Sequence, residues 1–230
     1  MKKLNRFIIF ALITVSYALW SNDGPYVFWK NDLPVVVSIE DSLVIRDTLS
    51  ANSEGEYMLD WSHGKTKPIK LQREFKRPAT SQPKPAKILA ISDMHGNLDG
   101  TVELLLAAGV MDENYNWIYD GCLIILGDVL DRGEQTTECL WLLYHLYSQT
   151  EENAQNKLIP ILGNHETMTI RKRTHNMKGK YGLTCELLNI TYNELYGENT
   201  LFGSWIRNWQ TILKLEDLLF VHGGISTGFA

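Results

Sequence analysis

From Lys87 onward, short apolar runs alternate with longer segments of helical period. Ile88–Ile91, Leu123–Leu126 and Leu158–Leu162 read as brief buried strands. Leu98–Ala108, with Leu98, Val102, Leu105 and Leu106 able to form one stripe, and Thr136–Tyr147, rich in Leu, Trp and Tyr, read as helices between them. This βαβαβ order predicts parallel strands with helices on the faces. Leu218–Val221 reads as a fourth strand, after a mostly helical insertion between Glu166 and Leu215. That insertion carries Arg171-Lys172-Arg173 and the aromatics Tyr181, Tyr192, Tyr196, Phe202, Trp205 and Trp209.

Upstream the pattern shifts. Tyr26–Trp29, Leu33–Ile39, Leu43–Ile45 and Tyr57–Leu59 are β-prone and separated by polar turn pairs, as in an antiparallel meander. The stretch from Pro68 to Pro85 is proline-rich and basic and has little to bury, as in a linker or a surface-hugging extension. The organisation expected is therefore residues 21–71 as a small β-rich region, 72–86 as a Pro-rich linker, and 87–230 as the catalytic domain.

Residues 1–20 are distinct. Lys2, Lys3 and Arg6 precede the apolar run Phe7–Trp20. That run, of about 14 residues, is short of the roughly 20 that a bilayer crossing needs. A secretory signal peptide is the expectation, with a retained inner-membrane anchor as the alternative. Either places the protein in the periplasm or outside the cell, and membrane contact arises only through such an anchor. The net charge of -5 offers nucleic acid no basic surface. Cys122, Cys139 and Cys185 lack metal-site spacing and read as buried apolar fillers.

Candidate chemistry lies at the strand ends, in the runs SDMHGN, GDVLDRG, LGNHE and VHGGIS. Open α/β sheets bind ligands beyond the carboxyl ends of their strands. Asp93 and His95 can chelate an ion if the chain turns at Gly96, although alone they read more readily as a turn aspartate and a surface histidine. Asp128, straight after a buried strand, needs charge compensation, and one carboxylate can bridge two cations. Arg132 can bond a phosphoryl group bidentately or pair with Asp131. Asn164 offers a hard oxygen ligand, His165 a proton donor, and His222 a further nitrogen. Together they fit two ions about 3.5–4 Å apart, with mixed O and N ligands that suit Mn, Fe or Zn.

The four runs resemble the signature blocks of the calcineurin-like metallophosphoesterases, and more narrowly the phosphoprotein phosphatases. Tyr196–Ser226 is more similar to the bacterial Shewanella-like branch than to eukaryotic enzymes. The resemblance covers about Lys87–Ser226 and implies an α/β (α+β) fold, a central β-sandwich flanked by helices. It implies Asp93, His95 and Asp128 at one metal, and Asp128, Asn164 and His222 at the other. By the same resemblance His165 protonates the leaving group, Asp131 orients it, and Arg132 and Asn164 bind phosphate oxygens. The nucleophile is water activated by the two metals, Mn foremost, and the substrate is a phosphorylated protein on Ser, Thr or Tyr. The alternatives are hydrolysis of diadenosine tetraphosphate or another small phosphoester, and a non-catalytic envelope scaffold on a degenerate phosphoesterase fold.

Ser92 and Leu130 depart from the family pattern, but neither stands at a position whose side chain is a ligand. The pattern also has a later histidine and closing strands, whereas this chain ends at Ala230. The expectation is a fragment or a natural short form, weakly active or inactive by itself, with an exposed β edge and Trp205 and Trp209 partly uncovered.

Overall fold

The computed structural model describes residues 22–52, 55–62, 65–151, 153, 156–173 and 179–229. The signal-like segment lies outside them. Among the described residues no helix is long and apolar enough to cross a membrane.

The strands are β1 (Asp23–Lys30), β2 (Leu33–Glu40), β3 (Leu43–Thr48), β4 (Tyr57–Ser62), β5 (Lys65–Ile69), β6 (Ser81–Gln82), β7 (Ile88–Ile91), β8 (Cys122–Ile125), β9 (Lys157–Pro160), β10 (Ile212–Leu215) and β11 (Leu218–Val221). The helices are α1 (Leu98–Ala107), α2 (Thr136–Thr150), α3 (Asn164–Ile170), α4 (Gly179–Leu188), α5 (Tyr192–Leu195) and α6 (Leu201–Arg207).

The predicted parallel sheet is present in the order β7-β8-β9. All four residues of β8 are buried because both faces of the sheet are covered. Cys122 and Ile124 point with Ile159 and Ile161 toward Leu213 and Leu215 of β10. Leu123 and Ile125 point the other way, into the helical core with Leu105, Leu140 and Leu158. This is the expected sandwich with a helical flank.

The fourth strand lies in the other layer of the sandwich. β11 does not extend the parallel sheet; it pairs antiparallel with β10 in a second sheet ordered β11-β10-β6. The turn at Glu216, with φ 51°, folds β10 straight back into β11, which a parallel crossover could not do. β11 lies at the sheet edge, with Leu219 half exposed.

Upstream, β1-β2-β3 forms the expected meander and β4-β5 a separate hairpin. Tyr26, Val27, Leu59 and Trp61 share one core with Trp141 of α2, whose indole N–H donates to Pro25 O at 2.8 Å. The proline-rich stretch is held to that core. Phe75 meets Tyr144 edge-on at 6.2 Å, and Ser81–Gln82 pairs with β10.

Trp205 and Trp209 are buried, contrary to the expectation that they would be partly uncovered. α6 lays Trp205 against Tyr144 at 5.3 Å, and Trp209 packs edge-on against Trp205 at 5.0 Å. Their apolar area is thus covered by α2. The three cysteines are buried and free, as expected.

His145 of α2 is buried against Trp61, with ring centroids 5.0 Å apart. Burial, then the charge of Lys67, pushes its pKa down from 6.5 to about 4. A depressed folded pKa means the unfolded chain takes up the proton first. The associated stability is present above pH 6.5 and is lost as pH falls toward 4. The loss is at most about 3 kcal/mol. Urea unfolding of wild type and His145→Leu at pH 7, 5 and 4 should show the difference between them shrinking or reversing in the acid range; parallel pH profiles would exclude this.

Candidate metal centre

Three loops leave the carboxyl ends of β7, β8 and β9, and a fourth leaves β11 beside them. The first two are laced by backbone bonds: Asp93 N–H to Gly127 O at 3.1 Å, His95 N–H to Asp128 O at 3.0 Å, and Gly96 N–H to Val129 O at 3.1 Å. Their path is strained. Asp93, His95, Asp128, Asp131 and Arg132 all adopt left-handed φ, between 47° and 67°. Each such non-glycine residue costs about 1–3 kcal/mol, and clusters of this kind occur at functional sites. Gly127 and Gly163 let the second and third loops touch. A Cβ on Gly127, where φ is +86°, would lie 2.2 Å from Gly163 N.

Glu166 locks this junction. At the third position of α3, fully buried, it accepts N–H bonds from Asp128 (2.8 Å), Val129 (2.9 Å), Leu130 (3.1 Å) and Gly163 (2.9 Å). Burial pushes its carboxyl pKa up, and those donors oppose the shift. All four contacts come from N–H groups, which leaves both oxygens as acceptors.

At the centre is the buried Asp128 carboxylate. Its Oδ2 lies 3.6 Å from His95 Nε2, 3.5 Å from His222 Nε2 and 3.9 Å from His165 Nε2. Asp93 Oδ1 lies 3.6 Å from His95 Nε2, and Asn164 Oδ1 lies 3.0 Å from His222 Nε2. Asp93, Asp128 and His222 form one group with metal-holding spacing, and His95, Asp128 and His165 form another. All the residues singled out in the sequence therefore meet at one edge.

The donor chemistry fits divalent cations. His95 Nδ1 is 2.9 Å from Leu130 O and His222 Nδ1 is 2.6 Å from Leu126 O, so both δ nitrogens carry hydrogen and donate. That turns both Nε2 lone pairs toward Asp128. His95 Nε2 is buried with no hydrogen-bond partner. In the neutral His222 ring, Nε2 faces the Asn164 oxygen, acceptor against acceptor. A cation satisfies both atoms and neutralises Asp128.

His165 is built differently. Its Nδ1 pairs with Asp131 Oδ2 at 2.8 Å, its backbone N–H donates to Asp128 Oδ1 at 2.9 Å, and its Nε2 lies 3.3 Å from Arg132 Nη2. Arg132 is exposed at the rim. Two participants carry little or no local signal in the sequence. Glu166 was legible only as part of the LGNHE run, and Tyr192, whose hydroxyl donates to Asp131 Oδ1 at 2.9 Å, carries no local signal at all.

A groove of about 870 Å³ runs from Asn164 and His222 past Thr167, Met168 and Leu219, with Arg171 and Arg173 on its border. The insertion aromatics do not line it; Tyr181, Tyr192, Tyr196, Phe202, Trp205 and Trp209 are in the core.

Comparison with known proteins agrees with this arrangement. The chain is 36% identical over 88 residues to Shewanella-like protein phosphatase 2 of Arabidopsis thaliana, covering 38% of this chain and 22% of that one. It is 26% identical over 146 residues to Shewanella-like protein phosphatase 1 of Plasmodium berghei, covering 61% and 39%. It thus spans well under half of these relatives. The solved cold-active protein-tyrosine phosphatase of a psychrophilic Shewanella species superimposes with a TM-score of 0.80 at 30% identity, covering 90% of this chain and 62% of that one. Residues 86–229 match the calcineurin-like phosphoesterase family, and with the motifs assembled around Asp128 at the carboxyl ends of strands from both sheets, the chain belongs to that family.

Proposed function

We propose that the protein is a metal-dependent phosphomonoester hydrolase that acts on phosphorylated protein. The observation that carries this is the convergence of His95 Nε2, His222 Nε2 and His165 Nε2 on the single buried Asp128 carboxylate. Asp93, His95 and Asp128 would hold one divalent ion; Asp128, Asn164 and His222 would hold the second, with Mn foremost and Fe or Zn as alternatives. The ions would supply an activated water and offset charge on the phosphoryl oxygens.

The chain's own residues do the rest. Arg132, exposed beside His165, offers a planar fork to the phosphoryl oxygens. Asn164 is exposed at the mouth of the groove, where its amide can also meet the phosphoryl group. Asp131 holds His165 by Nδ1, and Nε2, 3.3 Å from Arg132 Nη2 and 3.9 Å from Asp128 Oδ2, would in the protonated ring donate to the leaving oxygen. The groove supports a peptide over a dinucleotide, because among the described residues it has apolar walls and a basic border but no aromatic lining to stack a base. The protein-phosphatase relatives support phosphoprotein, with Ser, Thr or Tyr all open. Export to the periplasm is part of the proposal and rests on the basic and apolar pattern of residues 2–20.

The test is a metal titration of the metal-free chain by calorimetry, with p-nitrophenyl phosphate, phosphopeptides and diadenosine tetraphosphate as substrates. Bound divalent ions, weak Mn-stimulated turnover and a preference for phosphopeptides are expected. Fewer than one bound ion would support the scaffold alternative, and a preference for the dinucleotide would replace the substrate class.

A further inference from the structure

We propose that Tyr192 is a positioning residue for the proton donor, completing a buried relay Tyr192–Asp131–His165. This rests on the hydrolase reading above. Asp131 has two carboxylate oxygens and uses each once. Oδ2 takes the His165 Nδ1 bond at 2.8 Å, and Oδ1 accepts from the Tyr192 hydroxyl at 2.9 Å. Asp131 and His165 are each 1% exposed and Tyr192 is 3% exposed, so water is not available to replace either bond. A carboxylate held by the imidazole alone could pivot and carry the ring with it. A second donor on the other oxygen fixes the carboxylate plane and therefore the ring. A carboxylate can only accept here, so the phenol is the donor. Burial and the neighbouring tyrosines and Asp131 push the phenol pKa well above 10, which keeps the proton on Tyr192.

The tyrosine itself is held from several directions. It is the first residue of α5, where the Glu194 carboxylate accepts from Thr191 N–H at 2.6 Å and closes the helix start. Its ring meets Tyr196 edge-on at 5.2 Å and Tyr181 at 5.9 Å. The Tyr181 hydroxyl in turn accepts from Thr136 N–H at 2.7 Å and donates to Glu134 O at 2.9 Å. Two tyrosines of the insertion thus clamp the loop that carries Asp131 and Arg132, one through the carboxylate and one through the backbone. The insertion, which no chemical motif marks, sets the aim of the acid.

Tyr192→Phe keeps the ring packing and removes only the donor. Proton donation matters most when the leaving group is poor. The variant should therefore lower kcat on phenyl phosphate by about 10-fold, a fraction of what a general acid contributes. On p-nitrophenyl phosphate, whose leaving group needs little help, the change should stay below about twofold, with KM held on both substrates. Partial unfolding lowers both rates equally, so the ratio isolates the relay, and an equal loss on both substrates would overturn it. A second readout needs neither metal nor turnover: the downfield proton resonance of His165 Nδ1–H, assigned by its disappearance in His165→Gln. It should shift or broaden in Tyr192→Phe, and an unchanged signal would overturn the positioning role. If wild type hydrolyses neither substrate with any divalent ion, the hydrolase reading fails while the resonance still decides whether Tyr192 orders His165.

Discussion

Asp128→Asn is expected to lower turnover by about 10³-fold or more and to weaken divalent-ion binding at least 100-fold. Loss of a residue that merely supports a ligand already costs about 10–100-fold in affinity, and Asp128 faces both halves of the site. The asparagine keeps the acceptor for the His165 backbone N–H, now 2.9 Å from Oδ1, so the loop should hold its shape. It removes the charge that draws cations. The metal-free state should respond in the opposite sense. Asp128 is 2% exposed with no basic side chain beside it except imidazoles, and the Glu166 carboxylate is bonded to its own backbone N–H. Neutralising it should leave the metal-free protein at least as stable as wild type. Metal analysis, p-nitrophenyl phosphate turnover and thermal melting in chelator separate these effects. A variant that retains both ions and its activity would remove Asp128 from the centre of the site.

Glu166→Ala should be the most destabilising single change in the catalytic loops. It strands four buried N–H groups, on Asp128, Val129, Leu130 and Gly163. Each orphaned donor costs about 1–3 kcal/mol, and because the four share one acceptor the sum is not additive; a loss of about 4 kcal/mol is expected. Glu166→Gln keeps one acceptor oxygen but turns an N–H₂ toward the remaining donors, for a loss of about 2 kcal/mol. Urea unfolding in metal-free buffer measures both. A loss below about 1 kcal/mol for the alanine variant would show that the loops hold themselves without this carboxylate.

These two residues also mark how far the sequence could be read. Asp128 was legible because its context is local: an apolar run, a glycine, then a carboxylate that burial would otherwise penalise. The same holds for Asp93, His95, Asn164 and His222, each placed by a strand that its own apolar residues announce. Glu166 sits in a legible motif, but three of its four partners lie 36–38 residues away, and only the folded loops reveal that it accepts their N–H groups. Tyr192 is more remote still, 61 residues from Asp131, in a segment whose aromatics look like generic core.

The elements divide in the same way. β7, β8, β9, α1 and α2 follow from apolar runs and helical period, because burial of one face is written into residues a few positions apart. β6 is two residues long and exists only because Lys214 and Leu215 offer it an edge. β10 has the alternation of a strand, with Leu213 and Leu215 buried, yet its place in a second sheet depends on the turn at Glu216. Trp205 and Trp209 were expected to be partly uncovered; α2 covers Trp205 from more than fifty residues away, and Trp205 covers Trp209. The strand-end positions of the candidate ligand residues and the donor types they offer were thus legible in the sequence alone, since both are local properties. How those atoms converge on Asp128, what holds their loops, and which tyrosine steadies the proton donor were decided by tertiary structure, since each depends on buried polar groups finding partners from distant segments.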